Sequence, residues 1–274
     1  MHIATDEKGL GGLRGGVVVP TMGALHDGHA ALIRRAVEVA GGERPVVVTI
    51  FVNPTQFNEP ADFERYPRTF DADVAMCTRA GADAVFAPSV DEVYPSGDRR
   101  AAPTLPEQAT APGLEDRFRP GHFKGVCEVV RRLFELTGAS AAVFGEKDWQ
   151  QLQVIRAMTA RDGLGVAITP CPTVREPDGL AMSSRNRFLS AGERASAAAV
   201  SRALCEACGK ATAGEAERVM REVLEAEGLE AEYAVAREAE SLRAREPGWR
   251  GPGRALIAAR LGTVRLIDNA PWPI

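Results

Sequence analysis

Ten residues, Pro20-Thr21-Met22-Gly23-Ala24-Leu25-His26-Asp27-Gly28-His29, constrain this chain more than any other stretch. They follow the apolar run Val17-Val18-Val19 and precede Ala30-Ala31-Leu32-Ile33-Arg34-Arg35-Ala36-Val37, whose apolar residues recur at helical spacing, so the segment reads as a strand-to-helix turn. The first N–H groups of a helix lack internal partners and sit at the positive end of its dipole, so an anion at Gly28 or His29 would meet ready donors. Gly23 and Gly28 have no Cβ to hold a ligand off the backbone, and two histidines three residues apart can turn both rings toward one site. Imidazoles beside phosphates fit nucleotidyl transfer. Two surface histidines at an ordinary helix start are the alternative reading of the same residues.

The segments that follow alternate between strand and helix patterns. Pro45-Val46-Val47-Val48-Thr49-Ile50-Phe51-Val52 is continuously apolar, as in a parallel strand covered on both faces. Pro54 blocks further pairing, which puts Asn53 and Gln56 in a loop at the carboxyl end of that strand, where open α/β sheets bind ligands; an ordinary polar turn also fits. Residues 70–80 carry a helical pattern and residues 82–87 a short strand. Residues 95–120 turn to Pro, Gly and charge and read as a long surface excursion. His122 then stands at the start of a helix with the apolar stripe Val126, Val129, Val130, Leu133, Phe134 and Leu136, stopped by Gly138. The strand Ala141-Ala142-Val143-Phe144 delivers Gly145-Glu146-Lys147-Asp148 at its carboxyl end, followed by a helix over 149–161. Asp148 and Gln151 have capping-box spacing, which competes with a ligand role, whereas Lys147 has no such structural use. Runs at 166–169 and 172–174 complete the β/α alternation of a doubly wound sheet.

Past Glu176-Pro177-Asp178-Gly179 the rhythm changes. Met182-Ser183-Ser184-Arg185-Asn186-Arg187 reads as a polar, basic, mobile loop. Ser190 and Glu193 form a capping box opening a long Ala-rich helix, a second helix covers 215–227, and strand-like runs follow at 233–235 and 255–267. The expected organisation is a doubly wound α/β domain over 1–176 and a smaller α+β domain over 177–274.

Charge and cysteine usage narrow the ligand class. The formal net charge is −4, which disfavours nucleic acid or an anionic membrane as a partner and favours small anions. No run approaches the roughly 18 apolar residues of a membrane span, and Met1-His2-Ile3-Ala4-Thr5-Asp6-Glu7-Lys8 lacks signal-peptide character, so a cytoplasmic protein is expected. Five cysteines, an odd number, point to free thiols. Cys205 and Cys208 have metal spacing, but they lie in an Ala-rich helix without a second ligand pair, so no protein-held metal is expected. The glycines over 9–16 precede the first apolar strand instead of following it, which rules out a dinucleotide fingerprint and leaves a flexible lead-in.

Taken together, the turn, Gly145-Glu146-Lys147-Asp148 and Met182-Ser183-Ser184-Arg185 resemble the pantothenate synthetase (pantoate:beta-alanine ligase) family. So do Ile50-Phe51-Val52-Asn53-Pro54, Arg65-Tyr66-Pro67-Arg68-Thr69, Arg119-Pro120-Gly121-His122-Phe123 and Leu266-Ile267-Asp268-Asn269, which occur in family order over nearly the whole chain. The resemblance implies condensation of pantoate with beta-alanine through a pantoyl adenylate, with ATP cleaved to AMP and pyrophosphate, Mg²⁺ on the phosphates, and a cytoplasmic homodimer whose Rossmann-like domain over 1–176 binds nucleotide and pantoate and whose domain over 177–274 is a lid. It places ATP on Met22, Gly23, Ala24, Leu25, His26, Asp27, Gly28, His29, Gly145, Glu146, Lys147, Asp148, Val174, Met182, Ser183, Ser184 and Arg185. It places pantoate on Gln56 and Gln151, with Gln56 also near beta-alanine and Asn53 beside them in the substrate loop. His29 is the implied proton donor, and His26 and Lys147 complete the catalytic set.

The chain departs from the family pattern in three places. The glycines over 9–16 replace an N-terminal helix, Gly113-Leu114-Glu115-Asp116-Arg117-Phe118 lacks the second Gly of a Leu-Glu-Gly turn, and Trp149 stands where Phe or Tyr is usual. The residue types suit the implied chemistry, because a carboxylate with a pKa of about 4 needs no base to attack phosphorus, only neutralisation of the phosphates. Two rivals are another nucleotidyltransferase, which would join a nucleotide to a phosphate acceptor, and a nucleotide-binding module without turnover. Both histidines, Lys147 and Arg185 together argue against the second.

Overall fold

Successive valines of the first long strands face opposite ways, as strand geometry demands. Val18 and Val47 enter one core and Val17, Val19, Val46 and Val48 the other, so an unbroken apolar run is what a sheet with two covered faces requires. A computed structural model describes residues 1–57, 60–97, 103–245 and 251–272. Its larger sheet is built from β1 (His2–Ala4), β2 (Val17–Thr21), β3 (Val46–Ile50), β4 (Ala84–Phe86), β5 (Ala141–Gly145) and β6 (Ala167–Cys171). All pairings are parallel, in the order β1-β4-β3-β2-β5-β6. The helices α2 (Asp27–Ala40) and α4 (Phe70–Ala80) supply one covering layer, and α7 (His122–Thr137) and α8 (Trp149–Arg161) the other. The chain runs outward from β2 to β4 and returns to β5 on the other side of β2. The β2/β5 boundary is therefore the switch point where such sheets open a ligand crevice.

The N-terminus is not a flexible lead-in. β1 pairs with β4 at the sheet edge, and α1 (Glu7–Leu10), capped by the Asp6 side chain, buries Leu10 in the core. A three-residue strand carries too little periodicity to be seen in sequence. Short helices α3 (Pro60–Arg65) and α5 (Val90–Val93) follow β3 and β4, and the excursion over 95–120 holds a 3-10 turn at Glu107–Ala109 and the helical turn α6 (Glu115–Phe118), which buries Glu115. Residues 98–102 of that excursion lie outside the described residues. β6 ends at Cys171, so residues 172–174 do not form a strand of their own.

The C-terminal unit holds α9 (Ala191–Ala197), α10 (Ala199–Cys208), α11 (Ala213–Ala226) and the antiparallel strands β7 (Glu230–Glu238), β8 (Gly253–Leu261) and β9 (Val264–Trp272). The Ser190–Glu193 capping box forms, but the Ala-rich stretch divides into two helices at Ala198. The run at 255–267 is a hairpin pairing Leu261 with Val264 around Gly262. One face of this sheet (Ala234, Ala236, Ala255, Ile257, Ala259) packs on α10 and α11. The opposite face (Tyr233, Val235, Leu256, Ala258) meets Leu114 and Trp149 of the N-terminal unit. Among the described residues no helix is long and apolar enough to cross a membrane. Cys205 and Cys208 are free thiols, Cys208 donating to the carbonyl of Pro271.

Candidate active site

A cavity of about 260 Å³ opens at the carboxyl ends of β2 and β5. It gathers residues from nearly every motif singled out in the sequence. Met22, His26, Gly28 and His29 line it from the turn, Asn53 and Gln56 from the β3 loop, and Gly145, Lys147, Asp148 and Gln151 from the β5–α8 junction. Val174 and the stretch Met182, Ser183, Ser184 and Arg185 complete the wall. Gly23, Ala24, Leu25, Asp27 and Glu146 do not line it.

The turn is built differently from a simple anion cradle. The Gly28 N–H donates to His26 Nδ1 (3.2 Å) and the His26 N–H to His29 Nδ1 (3.3 Å), while the His29 N–H reaches the His26 carbonyl (2.8 Å). The helix-start donors expected to meet an anion at Gly28 and His29 are thus already used. Both rings accept at Nδ1, so each neutral imidazole carries its proton on Nε2 and has that donor left for a ligand. The ring centroids are 4.1 Å apart. Burial, then the Lys147 ammonium, pushes His26 down to about 4; burial, then His26 and Lys147, pushes His29 down to about 3. The alternative of two surface histidines falls, and both are neutral at physiological pH. The glycines also serve internal packing: a Cβ on Gly28 would lie 2.8 Å from the His26 ring, and one on Gly23 (φ +79°) would lie 3.0 Å from Asp73 Oδ2.

Asp73 had no part in the sequence reading, yet its carboxylate grips the turn from α4. It accepts from the Ala24 and Leu25 N–H groups at 3.0 and 2.9 Å and from the Thr69 hydroxyl at 3.1 Å.

Asn53 touches the cavity but is spent on the loop. Its amide donates to Gln56 Oε1 and the Gly125 carbonyl, and its oxygen accepts from Thr55 and Tyr94. It therefore positions Gln56 instead of offering free hydrogens to substrate. His122, placed by the sequence only at a helix start, donates from Nδ1 to the Gln56 carbonyl (3.1 Å) and accepts at Nε2 from Arg119 (3.1 Å). A carbonyl can only accept and a guanidinium can only donate, which fixes that tautomer. Burial, with Arg119 adding to it, holds His122 down to about 3.

The capping box suggested for Asp148 and Gln151 does not form, since the Asp148 side chain makes no cap hydrogen bond. Its carboxylate lies 3.7 Å from Lys147 Nζ. Glu146 turns away to Arg254 (3.1 Å), whose guanidinium stacks 3.7 Å over the Trp149 ring. From β9, Asn269 donates to the carbonyls of both Glu146 and Lys147 and so sets the loop that presents Lys147. Trp149 is more than aromatic filling, because its indole N–H reaches the Ala239 carbonyl at 2.6 Å. Thr69, Arg119, His122 and Asn269 all lie in segments that carried the family resemblance, which is the signal that could have marked them.

The family described as pantoate-beta-alanine ligase matches residues 8–271. A pantothenate synthetase of Rubrobacter xylanophilus is 53% identical over 268 residues, which are 93% of this chain and 90% of its own. A solved pantothenate synthetase from Thermus thermophilus superposes with a TM-score of 0.92 at 39% identity, covering 100% of both chains. A pantoate-beta-alanine ligase from Francisella tularensis, complexed with beta-gamma ATP and beta-alanine, gives 0.77 at 31% identity over 99% of this chain and 97% of that one. With the histidine turn, Lys147 and the Met182 loop on one cavity and a match that runs almost from end to end, the chain belongs to the pantoate-beta-alanine ligase family.

Proposed function

We infer that this enzyme condenses pantoate with beta-alanine at the expense of ATP, through a pantoyl adenylate. One observation carries the reading: donors suited to a triphosphate and two glutamines suited to a hydroxy acid share one cavity at the sheet switch point. The pantoate carboxylate, already ionised, attacks the α-phosphorus in line; the new O–P bond forms as the bond to the β-phosphate breaks and pyrophosphate leaves. Lys147, Arg185, Ser183, Ser184 and the two Nε2–H groups stabilise charge on the phosphates. His29 acts here as a neutral hydrogen-bond donor, since an imidazolium is disfavoured where it sits. Gln56 and Gln151 bond the hydroxyls and carboxylate of pantoate without adding charge. The beta-alanine amine then attacks the acyl carbon and AMP departs. The C-terminal unit, which brings the 182–185 stretch and the β9 residue Asn269 to the cavity, shields the anhydride from water.

Mg²⁺ belongs to this reading as an ion brought in on the triphosphate. Among the described residues no group of three or more acidic, His or Cys side chains could hold a metal; of the cavity carboxylates Asp148 and Glu115, Glu115 is held by Arg265 and Tyr233, so Asp148 is the one that would join phosphate and water ligands. Its chemistry would be neutralisation of phosphate charge. The Francisella tularensis complex supports ATP and beta-alanine as ligands, and we further propose a cytoplasmic homodimer. The test is pantoate-dependent ATP–pyrophosphate isotope exchange in the absence of beta-alanine. An absolute requirement for the amine would refute the adenylate route.

A further inference from the structure

Two residues in succession, Gly23 (φ +79°) and Ala24 (φ +50°), adopt left-handed backbone between β2 and α2. In this turn the consecutive N–H groups of Ala24 and Leu25 point to one side and form a concavity of the kind that attracts an anion. In this chain the protein supplies the anion itself. The carboxylate of Asp73, 2% exposed, takes the Ala24 N–H on Oδ2 and the Leu25 N–H on Oδ1, while the Thr69 hydroxyl holds Oδ1 from the start of α4. The concavity is therefore filled before any nucleotide arrives, and phosphates are left to the side chains that the turn presents.

We propose that Asp73 is a positioning residue for adenylation: its buried carboxylate locks the left-handed turn and thereby aims the Nε2–H donors of His26 and His29 into the cavity. Leu25, whose amide Asp73 holds, is followed immediately by His26, the helix N-cap, and His29 is locked to His26 through the reciprocal ring–backbone bonds. The turn thus has little freedom between the carboxylate and either ring. Misplacement of a donor by about 1 Å costs on the order of a hundredfold in rate. Asp73 lies off the cavity wall, so it acts only through the turn.

The proposal rests on the reading of His26 and His29 as phosphate donors, and the experiment separates the two. Asp73→Asn replaces one carboxylate oxygen by an NH₂ that opposes a backbone N–H. Exchange with ATP and pantoate should slow by about thirtyfold, chiefly in kcat, while beta-alanine attack on supplied pantoyl adenylate stays within about twofold. In a His29→Ala background the same substitution should cost only about threefold more, because both changes remove the same donor geometry. Thr69→Ala, which removes only the orienting hydroxyl, should reproduce the pattern at about fivefold and serves if Asp73→Asn does not fold. Full multiplication of the Asp73 (or Thr69) and His29 effects, or equal slowing of the amine step, overturns the proposal. An unimpaired His29→Ala enzyme would instead overturn the histidine reading on which it stands.

Discussion

Glu115→Gln tests how the two halves of the molecule are joined. The Glu115 carboxylate, on α6 against the cavity, accepts from Arg265 on β9 at 2.6 and 2.9 Å and from the Tyr233 hydroxyl on β7 at 2.7 Å. Burial alone pushes this carboxyl up, but the Arg265 bonds and charge, with Arg119 and Tyr233 adding to them, outweigh it and hold it at about 2, against 4.5 unperturbed. A depression of that size corresponds to about 3 kcal/mol of stability at neutral pH. Removing one member of a buried pair costs about 3–5 kcal/mol, and Arg265 keeps Glu232 at 2.7 Å, so the lower end is expected. The folded-state pKa lies below the unfolded one, so the contribution is complete above about 4.5 and fades as pH falls toward 2. Urea unfolding of wild type and variant at pH 7 and at stepped lower pH should show a gap of about 3 kcal/mol that narrows below pH 4.5. A gap under about 1 kcal/mol at pH 7, or one of constant size down to pH 3, would refute the argument.

Lys147→Ala should slow adenylation by about a hundredfold or more, about 3 kcal/mol, with a smaller change in ATP affinity; equal slowness with supplied pantoyl adenylate would remove Lys147 from the first half-reaction. The half-buried His26 and His29 and the buried His122 are neutral, held at about 4, 3 and 3, so their folded-state pKa values lie below the unfolded 6.5. Stability is then complete above pH 6.5 and falls as pH drops toward 3, with His122 alone accounting for about 2 kcal/mol at pH 5. Denaturation of His122→Gln should accordingly show a shallower fall between pH 6.5 and 5, and a slope equal to wild type would contradict this. Trp149→Phe strands the buried Ala239 carbonyl and should cost about 1–2 kcal/mol in thermal unfolding, even though an aromatic face remains for Arg254; an unchanged Tm would show that the indole N–H contributes nothing.

Local pattern carried a good deal of this protein. The β2, β3 and β5 runs, the α7 stripe and the Ser190 capping box were readable because each is a periodicity or a short spacing, and local backbone geometry enforces both. Family resemblance then named a good part of the cavity wall, Met22, His29, Lys147 and Arg185 among it, together with turn residues that do not line it. Neither source could say how those residues are held. The Asp73 grip on Ala24 spans 49 positions and the Asn269 hold on the Glu146 carbonyl spans 123, and no windowed periodicity records a bond between residues so far apart. The same limit hid β1, whose three residues become a strand only against β4, and the bond by which Arg254 on β8 takes the Glu146 carboxylate. It also hid the state of the histidines. A sequence shows an imidazole with a pKa near neutrality; only packing supplies the burial and the neighbouring cations that keep it neutral, and the backbone N–H groups that decide which nitrogen bears the proton.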